Sequence, residues 1–172
     1  PGKSAFPENH PLALGASAVS TTKAVSHFLQ KSDVIFGIGT SFTRTPYGKT
    51  LPDGKIMVHS TVDPADIHKD YKCDHPLIGD AKLVLSALIE EIGRRGVGKG
   101  GRHNREVVDE VRRVKRAWLD EWMPQLTSNE TPINQYRIIW DLMHAVDRDN
   151  VIITHDAGSP RDQIVPFWES TV

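Results

Sequence analysis

The stretch Ser32–Phe42, SDVIFGIGTSF, decides the fold class. Val34, Ile35, Phe36 and Ile38 make a short run that is apolar on both faces, with Gly37 and Gly39 toward its end. A strand of that kind belongs inside a parallel sheet, because such a sheet is covered on both sides. Upstream, Ala24, Val25, Phe28 and Leu29 recur at helical spacing up to Lys31, with Ser20 or Thr21 as N-cap. Downstream, Thr40–Gly54 holds two prolines and two glycines, which makes it a loop off the strand's carboxyl end, where open α/β sheets place ligands. Ile56–His59 reads as a second strand, and Asp63 with Pro64 opens a short helix through Ile67, since Asp caps and Pro suits the first helical position. Pro76–Gly79 is expected as a third, very short strand. Asp80 then caps a helix with Leu83, Leu85, Leu88, Ile89 and Ile92 on one side and Glu90, Glu91, Arg94 and Arg95 on the other.

The pattern is α/β: a partial Rossmann-like parallel sheet with flanking helices, followed by a long helical linker and the first strand of a second α/β domain. The segment GRRGVGKGGRH, residues 93–103, carries five glycines among basic residues and no apolar anchor, so a domain is expected to end there. Beyond it, Val107, Val111, Val114, Trp118 and Trp122 predict a long amphipathic helix over Asn104–Met123, stopped by Pro124. A further helix is expected from Thr131 and Pro132, carrying Ile133, Tyr136, Ile139, Leu142, Met143 and Val146. Val151–Thr154 reads as a strand that opens a new unit and ends in His155, Asp156, Ala157, Gly158, Ser159 and Pro160. The division is 1–92, 93–130 and 131–172. Two or three strands do not complete a parallel sheet, so the chain reads as a piece of something larger. The uncovered strand edge predicts association, either as a sheet completed across a homo-oligomer or by the return of Val151–Thr154 to the first sheet.

With 172 residues, 38% hydrophobic, 25% charged and a formal net charge of -1, the composition suits a globular chain without the basic footprint of a nucleic-acid binder. Arg112, Arg113, Lys115 and Arg116 are interleaved with acids and read as a solvated helix face. No apolar run approaches the roughly 18 residues of a membrane span, and the opening PGKSAFPENHP lacks the apolar core of a signal peptide. A single cysteine, Cys73, forms no internal disulfide and fits a reducing, cytoplasmic setting as a packing residue. His10, His27, His59, His68, His75, His103 and His144 are scattered without zinc-ligand spacing. Trp118, Trp122, Trp140 and Trp168 read as packing residues. There is no Gly-x-Ser-x-Gly elbow and no Walker loop.

Two clusters carry the candidate chemistry. Gly158 and Ser159 follow a strand, where a glycine lets backbone approach closely and free N–H groups attract anions. Beside them Asp156 suits a helix cap, His155 has no visible catalytic partner, and Arg161 reads as a surface residue. The second cluster is Gly39 and Thr40 after the first strand and Asp63 after the next, where an acid meets ribose hydroxyls in nucleotide sites. Its spacing does not match the glycine fingerprint, and a plain turn with Asp63 as helix cap accounts for the same residues.

Taken in order, GKSAFPENHPLALG (residues 2–15), SDVIFGIGTSF, KIMVHSTVDPADIHKDY (55–71), HPLIGDAKLVLSALIEEI (75–92) and NVIITHDAGS (150–159) resemble the thiamine diphosphate-dependent 2-oxoacid enzymes of the acetolactate synthase type. The resemblance implies the second half of a middle, nucleotide-binding-type domain joined to the start of a pyrophosphate-binding domain. It implies a parent enzyme that uses thiamine diphosphate and magnesium to decarboxylate or ligate a small-molecule 2-oxo acid, as a cytoplasmic homo-oligomer with no nucleic acid or membrane partner. Gly158, Ser159 and Asp156 then fall on the thiamine diphosphate side. The cofactor-activating glutamate and the magnesium motif are expected before Pro1 and after Val172, so this piece holds no catalytic residue or metal ligand and is expected to be inactive alone. Some relatives hold FAD or ADP in the middle domain; Ala16–Ser20 and Thr40–Arg44 depart from the flavin-binding pattern and speak against either here. Two other classes stay open on the residues: a nucleotide-binding module for ADP, CoA, FAD or NAD, and a noncatalytic interaction domain presenting the Val/Trp helix.

Overall fold

A computed structural model describes residues 2–17, 21–46, 48–96 and 105–171. Its sheet has three parallel strands in sequence order, β1 (Val34–Ile38), β2 (Ile56–Thr61) and β3 (His75–Ile78). Val34 aligns with Ile56 and Val58 with His75, so all three carboxyl ends reach one edge. The α/β class and the partial Rossmann-like sheet with flanking helices are as the sequence predicts. Strand β2 runs two residues past its expected end, because Ser60 and Thr61 pair with Leu77 and Ile78. Strand β3 starts one residue earlier than expected and tolerates Pro76 because it is an edge strand among the described residues.

The helices are α1 (Lys23–Lys31), α2 (Ala81–Arg94), α3 (Arg105–Leu126), α4 (Gln135–Ala145) and α5 (Ser159–Phe167), with a 3₁₀ turn at Pro64–Asp66. Helix α1 is capped by Thr22, whose hydroxyl accepts the Val25 N–H at 3.2 Å, rather than by Thr21; Ser20 lies outside the described residues. Asp80 caps α2 by accepting from the N–H groups of Lys82 and Leu83, as its position before an apolar run implies. That helix continues through Gly93 to Arg94, past its expected end, and residues 97–103 of the glycine-basic segment, with the expected helix start Asn104, lie outside the described set. The apolar side of α2 is only half used. Ala81, Val84 and Leu88 are half-buried, whereas Leu83 and Ile89 stay 69% and 70% exposed, because a sheet of three strands offers the helix a narrow surface.

Pro124 does not stop α3; it sits in the last turn, and the helix runs on to Leu126. Proline removes one backbone bond there, but Leu126 is fully buried and holds the turn in place, while Thr127 closes it through Met123 O. Helix α4 starts at Gln135 rather than at Thr131, since Asn134 supplies the cap to the Tyr136 N–H at 2.9 Å and Ile133 remains outside, 68% exposed. Val151–Thr154 is unpaired among the described residues and does not join the sheet. Val151 and Ile153 pack on the helical core while Ile152 is 93% exposed, so the alternation expected of a strand is kept without a ladder partner.

The described residues fall into two compact units, one drawn from 1–28, 47–49 and 104–172, the other from 29–46 and 50–103. The first is built on Leu126, Ile139, Met143, Ile164, Phe167 and Trp168. Trp118 stacks on Phe167 with ring centroids 5.0 Å apart, and Trp122 and Tyr136 meet the same ring edge-on. A clasp ties this unit's early and late residues. Glu8, 7% exposed, holds Lys3 Nζ on both carboxylate oxygens and accepts the Ser170 N–H at 2.8 Å, while its own N–H donates to Ser170 O. The second unit buries Met57 and His59 on the face that carries Gly37, and Cys73 is buried as well. On the opposite face Val34, Phe36 and Ile56 remain 43%, 42% and 48% exposed. Replacing Leu126 by Ala leaves a cavity in the aromatic core and is expected to cost about 2–5 kcal/mol, read as a lower urea midpoint with an unchanged slope.

Candidate functional site

At the carboxyl edge of the sheet the chain leaves β1 through Gly39, which has φ +62°. That positive φ suits glycine, and the Gly39 N–H continues the ladder to Ser60 O at 2.9 Å. Thr40 follows, its hydroxyl accepting the Phe42 N–H at 3.2 Å and its carbonyl accepting Nε2–H of His59 at 2.6 Å. Asp63 stands two residues past β2. Its carboxylate caps the 3₁₀ turn through the Ala65 N–H at 2.9 Å, and its own N–H donates to Thr61 Oγ1. Gly39, Thr40 and Asp63 therefore share one edge, yet the polar side chains of Thr40 and Asp63 are engaged in local turns.

Two residues that pattern reading passed over shape this edge. His59 is 2% exposed, held by Thr40 O and edge-on to the Phe42 ring at 4.7 Å. Ser60 is 1% exposed and its Oγ has no hydrogen-bond partner among the described residues. Phe42 itself has φ +47°, strained for a residue with a Cβ, and its ring lies directly over Gly37. A Cβ on Gly37 would overlap the ring tip of Phe42 and stand 2.8 Å from Thr40 Cγ2. Arg44 caps the arrangement, its guanidinium 4.6 Å from the Tyr71 ring centre and its N–H on Asp70. The 3₁₀–β3 connection is fixed in turn by Asp74, which exchanges two 2.9 Å bonds with the Met57 backbone. The Met57 N–H, with Lys72 nearby, holds the Asp74 carboxyl below its ordinary range. A signal for His59 was present: Met57, His59 and Thr61 alternate onto one face, opposite a glycine.

The other cluster lies in the helical unit. Gly158 is the N-cap of α5 with φ +84° and no side-chain cap, and nothing lies within 4 Å of where its Cβ would be. Ser159 and Pro160 follow, exposed, so the first turn of α5 presents backbone to solvent. Asp156 does not cap the helix; its Oδ1 accepts the adjacent Ala157 N–H at 2.7 Å. His155 Nδ1 contacts Asp156 O at 3.0 Å, and Arg161 pairs with Asp162. Gly158, Ser159 and Asp156 are thus close together on one turn. Gly39, Thr40 and Asp63 fall in the other compact unit. Among the described residues no three His, Cys, Asp or Glu side chains gather as metal ligands.

Gly37→Ala displaces the Phe42 ring and is expected to destabilise the sheet unit by about 1–3 kcal/mol. In a double-mutant cycle by urea denaturation, the cost should shrink when Phe42 is already Ala.

Residues 1–88 match the family described as thiamine pyrophosphate enzyme, central domain. The chain is 31% identical over 181 residues to a probable acetolactate synthase large subunit of Methanococcus aeolicus, covering 98% of this chain and 29% of that protein. It is 30% identical to the corresponding protein of Methanocaldococcus jannaschii, across 98% of this chain and 28% of the relative. It is also 28% identical to the putative thiamine pyrophosphate-containing protein YdaP of Bacillus subtilis, over 92% of this chain and 26% of that one. The chain spans under a third of the length of these relatives. The match over residues 1–88 and the ordered motifs together make this chain a member of the thiamine pyrophosphate enzyme family, of the acetolactate synthase type.

Proposed function

We propose that this chain is part of a cytoplasmic enzyme that uses thiamine diphosphate and magnesium to decarboxylate or ligate 2-oxo acids, with Gly158 and Ser159 on the diphosphate side of the cofactor. The observation that carries the reading is the bare start of α5: a glycine with positive φ, open space over its Cα, and no side-chain cap. Uncapped N–H groups at a helix start, with the helix dipole behind them, suit an anionic group. The residues fit a diphosphate in chemistry as well as in shape. Gly158 admits close backbone approach, and Pro160 fixes the first turn while giving up only a donor that the helix does not need. Asp156 is engaged by the adjacent Ala157 N–H and does not cap the helix start.

Thiamine diphosphate, when bound, supplies the carbanion-stabilising chemistry; the residues of this chain orient it. None of them is assigned a catalytic role, and magnesium is assigned to parts of the enzyme outside this sequence. Binding of FAD or ADP at Gly39, Thr40 and Asp63 is not part of this reading, since Thr40 and Asp63 are engaged in the turns they cap. No helix among the described residues is long and apolar enough to cross a membrane. Exposed Val34, Phe36 and Ile56 support a homo-oligomeric assembly or cover from further sequence of the same enzyme.

A polypeptide extended on both sides to the length of the relatives is the material for the test. Titrated with thiamine diphosphate and magnesium, it is expected to quench tryptophan fluorescence saturably and to consume pyruvate or another 2-oxo acid. Gly158→Val should weaken cofactor binding by about tenfold or more, and the 172 residues alone should turn over nothing. An extended protein that folds but binds no thiamine diphosphate would remove the reading.

A further inference from the structure

The helical unit carries a half-open pocket of about 460 Å³ that the proposed reaction does not use. Its wall includes Val165 and Phe167, so it lies at the opposite end of α5 from Gly158. Trp118, Trp140 and Phe167 give it an aromatic lining, and Arg112, Lys115 and Arg116 of α3 stand on its rim. The volume is in the range of small-molecule sites, which pair an apolar body with a few placed polar groups.

The charges on this wall are unevenly matched. Its two carboxylates are taken, Glu8 by Lys3 and Glu169 by Arg148. Arg112 and Arg116 each pair along the helix, with Asp109 and Asp120. Lys115 is left over: it is half-buried and has no ion-pair partner among the described residues. A lysine on a pocket wall without a counter-charge is open to an incoming anion in a way that the paired Arg112 and Arg116 are not.

We propose that this cavity binds a small organic monoanion, with an aromatic or branched apolar body against Trp118, Trp140 and Phe167 and a carboxylate on Lys115. The apolar body gains by leaving water for the ring-lined wall, and offset ring stacking adds to that burial. The carboxylate forms a charge-assisted hydrogen bond to Lys115 Nζ. The inference is independent of thiamine diphosphate binding at the other end of α5.

The test titrates the 172-residue chain with 2-naphthoate and with its neutral counterpart 2-naphthylmethanol, by calorimetry and tryptophan fluorescence. Naphthoate is expected to bind at one saturable site about tenfold more tightly than the alcohol. Lys115→Gln should abolish that preference with the far-ultraviolet spectrum and melting transition unchanged, and Lys115→Arg should keep it. Equal binding of the two compounds, absence of saturable naphthoate binding, or an unchanged preference in Lys115→Gln would overturn the proposal.

Discussion

The parallel pairing of β1, β2 and β3 is the constraint from which the rest of the sheet unit follows. Parallel neighbours need long connections rather than tight hairpins, and they bring all carboxyl ends to one edge. Here those connections fold back onto one face: Phe42 settles over Gly37, His59 meets that ring, and Tyr71 receives Arg44. Work done by crossover helices in a complete sheet is done on this face by loops. On the other face the apolar side chains of β1 and β2 stay partly open, which is the physical content of calling the sheet partial.

The helical unit answers to a different rule. Its stability rests on rings packed around Phe167, and the backbone accommodates that packing. Pro124 lies within α3 and Pro166 within α5, both at positions that local propensity disfavours. Burial of Leu126 and Phe167 outweighs the lost backbone bonds, since large buried side chains contribute more than one helical hydrogen bond.

Much of this was legible in the sequence. The two-faced apolar run at Val34, the Asp80 cap and the Asp63–Pro64 turn follow from local rules, and the order of motifs carried the family. What local rules missed depended on distant partners. The working stripe of α2 was set by the width of the sheet, and the end of α3 by the burial of Leu126. Val151–Thr154 has the composition of a strand, but a strand exists only through its neighbour. At the candidate sites, the glycine turn at 158 was readable from its neighbours in sequence. The burial of His59 and the isolation of the Ser60 hydroxyl were not; the first arises where the loop after β1 folds back on β2, and the second on the opposite face of that strand.

The clasp between Glu8 and Ser170 bears on the order in which the molecule assembles. It joins positions 162 apart in sequence, so its closure carries the entropy of a very long loop. The sheet unit, 29–46 with 50–103, lies wholly inside that loop and uses nearer contacts. Its contacts do not involve Ser170, whereas the clasp closes only once Ser170 is in place. Closing it takes the Lys3–Glu8 pair partly out of water, so the ion pair and the long loop close together.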